Sequence, residues 1–127
     1  MARILVVDDE PHILKLVSFS LTKAGHEVFE APDAMTGIAV VVEKCPDLVL
    51  MDVMMPLMTG LEALERLKAD PETADVPVVM LSAKSQAYEQ EEGLRRGALK
   101  YVCKPFTPKV LVQTVGEILE EHAKGVE

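Results

Sequence analysis

Asp8 and Asp9 follow the apolar run ILVV, and Asp52 follows DLVLM at 47–51. Ser82 follows VVML at 78–81, and Lys104 follows YVC at 101–103. Three carboxylates brought to one place repel each other, so at least one protonates unless positive charge is supplied. A divalent cation and one lysine balance that charge, and Lys104 is placed to be the lysine. An all-oxygen, carboxylate-rich donor set suits Mg²⁺, with Mn²⁺ as a substitute. With its charge balanced, one carboxylate can attack phosphorus, while the cation and lysine stabilise the transferring phosphoryl oxygens. Ser82 would donate a hydrogen bond to the new phosphoryl group.

Each residue also has an ordinary structural use. Asp8-Asp9 can cap a helix that begins near Pro11. Asp52 can be a turn residue before a proline-containing loop. Ser82 can open a loop, and Lys104 can be one more solvated charge. Joint placement on one edge is what raises these residues above such uses, and that depends on the elements between them.

Short apolar runs alternate with helical patterns along the whole chain. Residues 3–7 read as a buried strand that stops at Asp8-Asp9. From Pro11, a first-turn residue, Ile13, Leu14, Leu16, Val17, Leu21 and Ala24 recur at helical spacing, and Gly25 is the expected stop. A second strand is expected over 26–31, and Asp33 reads as the N-cap of a helix to about Cys45, ended by Pro46. Residues 47–51 form a third strand, and the turn-rich VMMPLMTG leads into a helix over 61–69. Residues 78–81 form the fourth strand, 87–96 a polar helix ending at Gly97, and 101–103 a short fifth strand. The last helix covers 108–122, with Leu111, Val115, Ile118 and Leu119 facing inward. Five strand–helix repeats with short connections predict a parallel sheet with helices on both faces. Ligand chemistry in such folds sits outside the carboxyl ends of the strands. Asp8-Asp9, Asp52 and Ser82 all fall on that edge.

At 127 residues the chain is one domain's length, and its net charge of −8 argues against a nucleic-acid face, which needs clustered Lys and Arg. Cys45 and Cys103 lack metal-ligand spacing and read as reduced thiols. The N-terminus reaches Asp8 too soon for a signal peptide, and every apolar run is too short to span a bilayer. A cytoplasmic protein is expected.

The blocks ILVVDDEP, LVLMDVMMPLMTG, VVMLSAK and YVCKPF resemble the signature blocks of response-regulator receiver domains, of the stand-alone, chemotaxis-regulator-like kind. They stand in that family's order and cover essentially the whole chain. The resemblance implies a flavodoxin-like (βα)5 three-layer sandwich with strand order 2-1-3-4-5. It implies Asp52 as the phosphorylated aspartate, with Asp8 and Asp9 as the acidic pair that binds Mg²⁺ alongside it. Met54 matches the position whose backbone carbonyl joins the metal. Ser82 matches the hydroxyl that follows the phosphoryl group, Lys104 the lysine that contacts it, and Tyr101 the aromatic switch. Lys104-Pro105 matches the family's cis peptide. The implied donor is a phosphohistidine on a histidine kinase or phosphotransfer protein.

The expected function is therefore a phosphorylation-dependent switch that catalyses only its own phosphorylation and dephosphorylation. Phosphorylation would alter the surface formed by 87–96, the fifth strand and the last helix. The expected organisation is a receiver over 1–123 and a tail over 124–127, with no output domain. Output would run through an unnamed protein partner, from a monomer or a weak phosphorylation-dependent dimer. Two other classes compete: an aspartyl-phosphate phosphohydrolase, and a receiver-like binding module that is never phosphorylated. The first typically places its nucleophile in a DxD pattern after the first strand, where this chain has VVDDEP. GALKYV lacks the acidic pair that many relatives carry before the aromatic residue. Arg95, Arg96 or Lys100 meeting Glu117, Glu120 or Glu121 would replace those dimer contacts, although solvated helix faces are the simpler expectation. Of Met54, Met55 and Met58, one or more should fill the core. Met54 and Lys84 are expected to set phosphoryl lifetime. His12, His26 and His122 are expected at the surface.

Overall fold

A computed structural model of the chain describes residues 2–83, 91 and 94–124. The strands are β1 (Arg3–Val7), β2 (Glu27–Ala31), β3 (Leu48–Asp52), β4 (Val78–Ala83) and β5 (Lys100–Lys104). The helices whose full bounds fall within the described residues are α1 (Pro11–Lys23), α2 (Ala34–Lys44), α3 (Gly60–Ala69) and α4 (Pro108–Lys124). The strands form one parallel sheet of order β2-β1-β3-β4-β5. This is the flavodoxin-like arrangement. The helix expected over 87–96 falls largely outside the described residues, and so does Lys84.

Period-two alternation sorts the strand residues into two layers. Leu5, Val7, Val49, Met51, Val78 and Met80 pack with Ala34 and Val41 of α2 and Ala63, Leu64 and Leu67 of α3. Ile4, Val6, Leu48, Leu50, Val79 and Leu81 pack on the other side with Leu14, Val17 and Leu21 of α1 and Leu111, Val115 and Ile118 of α4. The three central strands are continuously apolar over residues 4–7, 48–51 and 78–81 because both faces are covered. The β5 edge is only half-buried.

The ends of the helices follow their local chemistry. Pro11 opens α1, and Gly25 beyond its end takes φ 105°. Asp33 caps α2 by accepting the Thr36 N–H at 2.7 Å, and Cys45 ends that helix in a left-handed conformation. Thr59 and Glu62 form a reciprocal capping box at the start of α3. Thr59-x-x-Glu62 is readable in the sequence, and it starts the helix one residue before the expected Leu61. Strands β3 and β4 run further than the sequence predicts, so Asp52 and Ser82 belong to the sheet rather than to the loops after it. Leu16 keeps the helical period but is 41% exposed, on the outer flank of α1's apolar stripe. Cys45 and Cys103 are surface residues not joined by a disulfide. His26 is half-buried, and its Nδ1 accepts the Ala2 N–H at 3.2 Å.

Candidate functional site

The register brings the carboxyl ends of β1, β3, β4 and β5 level. Val7 lies opposite Met51, Asp52 opposite Leu81, and Ala83 opposite Lys104. The same alternation that sends Val6, Leu50 and Val102 toward α1 and α4 puts Asp8, Asp52 and Lys104 in phase with one another. Their side chains meet. The Lys104 Nζ lies 3.2 Å from Asp8 Oδ2 and 3.2 Å from Asp52 Oδ1. Asp8 is fully buried and Asp52 nearly so, whereas Asp9 is exposed.

Carboxylate oxygens of Asp8, Asp9 and Asp52 all lie within 4.8 Å of one another. One ion can bridge oxygens at that spacing, so the three aspartates fit a hard divalent cation. Asp8 also serves the local turn, because its Oδ1 accepts the Glu10 N–H at 2.9 Å. A local turn bond and the clustering therefore coexist on one side chain. Glu10, not Asp8 or Asp9, is the N-cap residue of α1, and its side chain makes no capping bond.

Burial pushes the Asp52 carboxyl up to about 6, helped by the neighbouring Asp8 charge and opposed by Lys104 and the Met54 N–H. Asp52 and Asp8 hold Lys104 above the usual lysine range, against the burial that would lower it. One lysine thus leaves the three carboxylates short of positive charge. The deficit is in the direction a divalent cation corrects.

Ser82 is buried, one residue beyond the Leu81 that pairs with Asp52. It is in phase with Met80 and therefore projects toward the α2/α3 layer. Tyr101 packs in that same layer, half-buried, opposite Met80 in the register and two positions short of Ser82's partner Cys103. The Met54 side chain is 57% exposed, Met55 is in the core, and Met58 packs against it. The Lys104–Pro105 peptide bond is cis. Arg96 reaches Glu65 of α3 at 3.7 Å.

Two residues of the site region were not singled out from the sequence. Gly60 donates its N–H to the Val53 carbonyl at 2.9 Å. A Cβ on Gly60 would stand 2.1 Å from the Asp52 carbonyl oxygen and 2.9 Å from Met80 Cε. A bare glycine there is what lets α3 start against the end of β3. The second is Leu57, whose φ is 72°. A glycine after a capping threonine is a weak signal for the first, and a leucine gives none for the second.

The family model described as the response regulator receiver domain matches residues 4–116. Among curated proteins, the chain is 40% identical over 122 residues to the phosphate regulon transcriptional regulatory protein PhoB of Pseudomonas aeruginosa, covering 96% of this chain and 53% of the relative. The chain thus spans about half the length of that relative. It is 38% identical to the protein PilH of Pseudomonas aeruginosa, covering 94% of this chain and 98% of PilH. The chemotaxis protein CheY4 of Vibrio cholerae superposes with a TM-score of 0.86 at 33% identity, over 92% of this chain and 98% of that one.

Proposed function

The chain belongs to the response regulator receiver domain family of two-component signalling, and from that premise we propose that it is a switch set by phosphorylation of Asp52. The donor is a phosphohistidine on a histidine kinase or phosphotransfer protein. The observation that carries the reading is Lys104, 3.2 Å from both Asp8 and Asp52 at the carboxyl edge of the sheet.

Asp8, Asp9, Asp52 and the backbone carbonyl of Met54 would hold Mg²⁺. When bound, Mg²⁺ supplies the second positive charge facing the transferring phosphoryl oxygens. An Asp52 carboxylate oxygen attacks phosphorus, and the bond from phosphorus to the donor's imidazole nitrogen breaks, its electron pair staying on that nitrogen. Lys104 then turns from the Asp52 carboxylate to the phosphoryl oxygens it has just received. The Ser82 hydroxyl donates to another of those oxygens, and Tyr101, in the same layer, follows Ser82 inward. The response is a changed surface around β5 and α4, read by a protein partner. Residues 1–123 act as the receiver unit. We place the protein in the cytoplasm, as a monomer or a weak phosphorylation-dependent dimer that does not itself touch nucleic acid. Among the described residues, no helix is long and apolar enough to cross a membrane.

The test is intact mass after incubation with Mg²⁺ and acetyl phosphate. One added phosphoryl group is expected in the wild type and none in Asp52→Asn. An adduct that persists in Asp52→Asn rejects Asp52 as acceptor, and steady turnover of a phosphomonoester would favour a phosphohydrolase.

A further inference from the structure

Leu57 combines two costs that no packing among the described residues offsets. Its φ is 72°, and across it the Met58 N–H donates to the Pro56 carbonyl at 2.8 Å. That is a three-residue γ-turn of the positive-φ kind, rare and strained for any residue with a Cβ. Its side chain is 105% exposed and gains nothing from burial. Glycine or asparagine would hold the same turn with less strain. The leucine side chain therefore gains its use outside the free chain.

The place of the turn points to that use. Leu57 lies in the connection that leaves Asp52 and returns to Gly60, closed by the Gly60 N–H on the Val53 carbonyl. In the same connection Met54 donates its N–H to the Asp52 carboxylate and leaves its thioether exposed. A small phosphodonor entering the carboxylate cluster need not touch Leu57. A protein whose histidine must reach Asp52 spreads its surface over this connection.

We infer that Leu57 is an apolar anchor for the protein phosphodonor, seated in a pocket of the donor's surface as its phosphohistidine meets Asp52. Glu62, Glu65 and Arg66 share a depression with Leu57, and Arg96 pairs with Glu65, so charge there is balanced and the contact is an apolar one. This inference rests on the acceptor role proposed for Asp52.

The experiment compares wild type, Leu57→Asn and Leu57→Met with two phosphodonors. One is acetyl phosphate with Mg²⁺. The other is the fastest donor among the autophosphorylated cytoplasmic kinase cores of the same genome, screened on wild type. Leu57→Asn is expected to keep its acetyl phosphate rate and to melt no lower than wild type, because it relieves the strain of the turn. Its KM for the phosphorylated kinase should rise about tenfold or more, the effect of one buried leucine, at unchanged kcat. Leu57→Met should recover most of the loss. Equal transfer to Leu57→Asn, an equal loss with acetyl phosphate, or no kinase able to phosphorylate wild type would each overturn the inference. Failure of acetyl phosphate to modify wild type would remove the acceptor role beneath it.

Discussion

The Asp52 carboxyl, raised by burial from 3.8 to about 6, makes the metal-free protein's stability depend on pH. Between those values the folded chain holds a proton that the unfolded chain has released. Stability therefore falls as pH rises through that window, by up to about 3 kcal/mol for a two-unit gap. Asp52→Asn should remove this slope and stabilise the metal-free protein at about pH 7.5 by about 1–3 kcal/mol. Urea melts across pH with a chelator present check this, and a less stable Asp52→Asn would contradict it. Mg²⁺ affinity should weaken as pH drops below about 6, because the proton and the ion compete for one carboxylate. Lys104→Met should tighten Mg²⁺ binding severalfold by removing a cation 3.2 Å from two of the carboxylates, yet slow phosphorylation by acetyl phosphate. Calorimetric titration beside intact-mass kinetics separates the two effects.

Among the elements, α2 and α3 approach the sheet at glycines, and the two contacts should respond differently. A Cβ on Gly37 would stand 2.8 Å from a methyl group of Val7 on β1. Gly37→Ala should cost about 1–2 kcal/mol, and Val7→Ala in the same chain should offset part of it, because the obstacle is a side chain. Gly60→Ala meets the Asp52 carbonyl, a backbone atom, and side-chain truncation cannot relieve it. It should cost more than about 2 kcal/mol and also weaken Mg²⁺ binding by displacing Asp52. At the other end of α3, the Lys68 ammonium donates to the carbonyls of Ala74 and Val76 at 2.9 and 3.0 Å. Lys68→Met would orphan both carbonyls and should cost about 1–3 kcal/mol in denaturant melts. Two helix caps, at Asp33 and Thr59, are sequence patterns that local chemistry enforces. Leu16 shows the limit of such patterns, since helical period alone does not say how wide the buried stripe is.

Across the whole molecule, β1, β3 and β4 have strand partners on both sides and helices on both faces, while β5 closes one edge half-buried. Amide hydrogen exchange should be slowest in the three central strands and faster in β5. Mg²⁺ with beryllofluoride should slow β5 selectively if phosphorylation is relayed to that edge, and an unchanged β5 would argue against the relay. The order of strands and helices was legible in the sequence because each depends on near neighbours: apolar runs, prolines, glycines and caps within a few residues. The groups that cluster at the sheet edge were legible too, since acidic and basic residues stood at the ends of those runs. Distance was not legible. Lys104 meets Asp8 across 96 residues, and only the parallel register and shared phase of β1, β3 and β5 bring both to Asp52. Likewise, the approach of Gly60 to the Asp52 backbone and the strain at Leu57 arise when the connection between them must close. Local chemistry determined which groups this protein carries and in what order. The tertiary structure decided which of them share a charge, because that depends on sheet geometry no short stretch of chain contains.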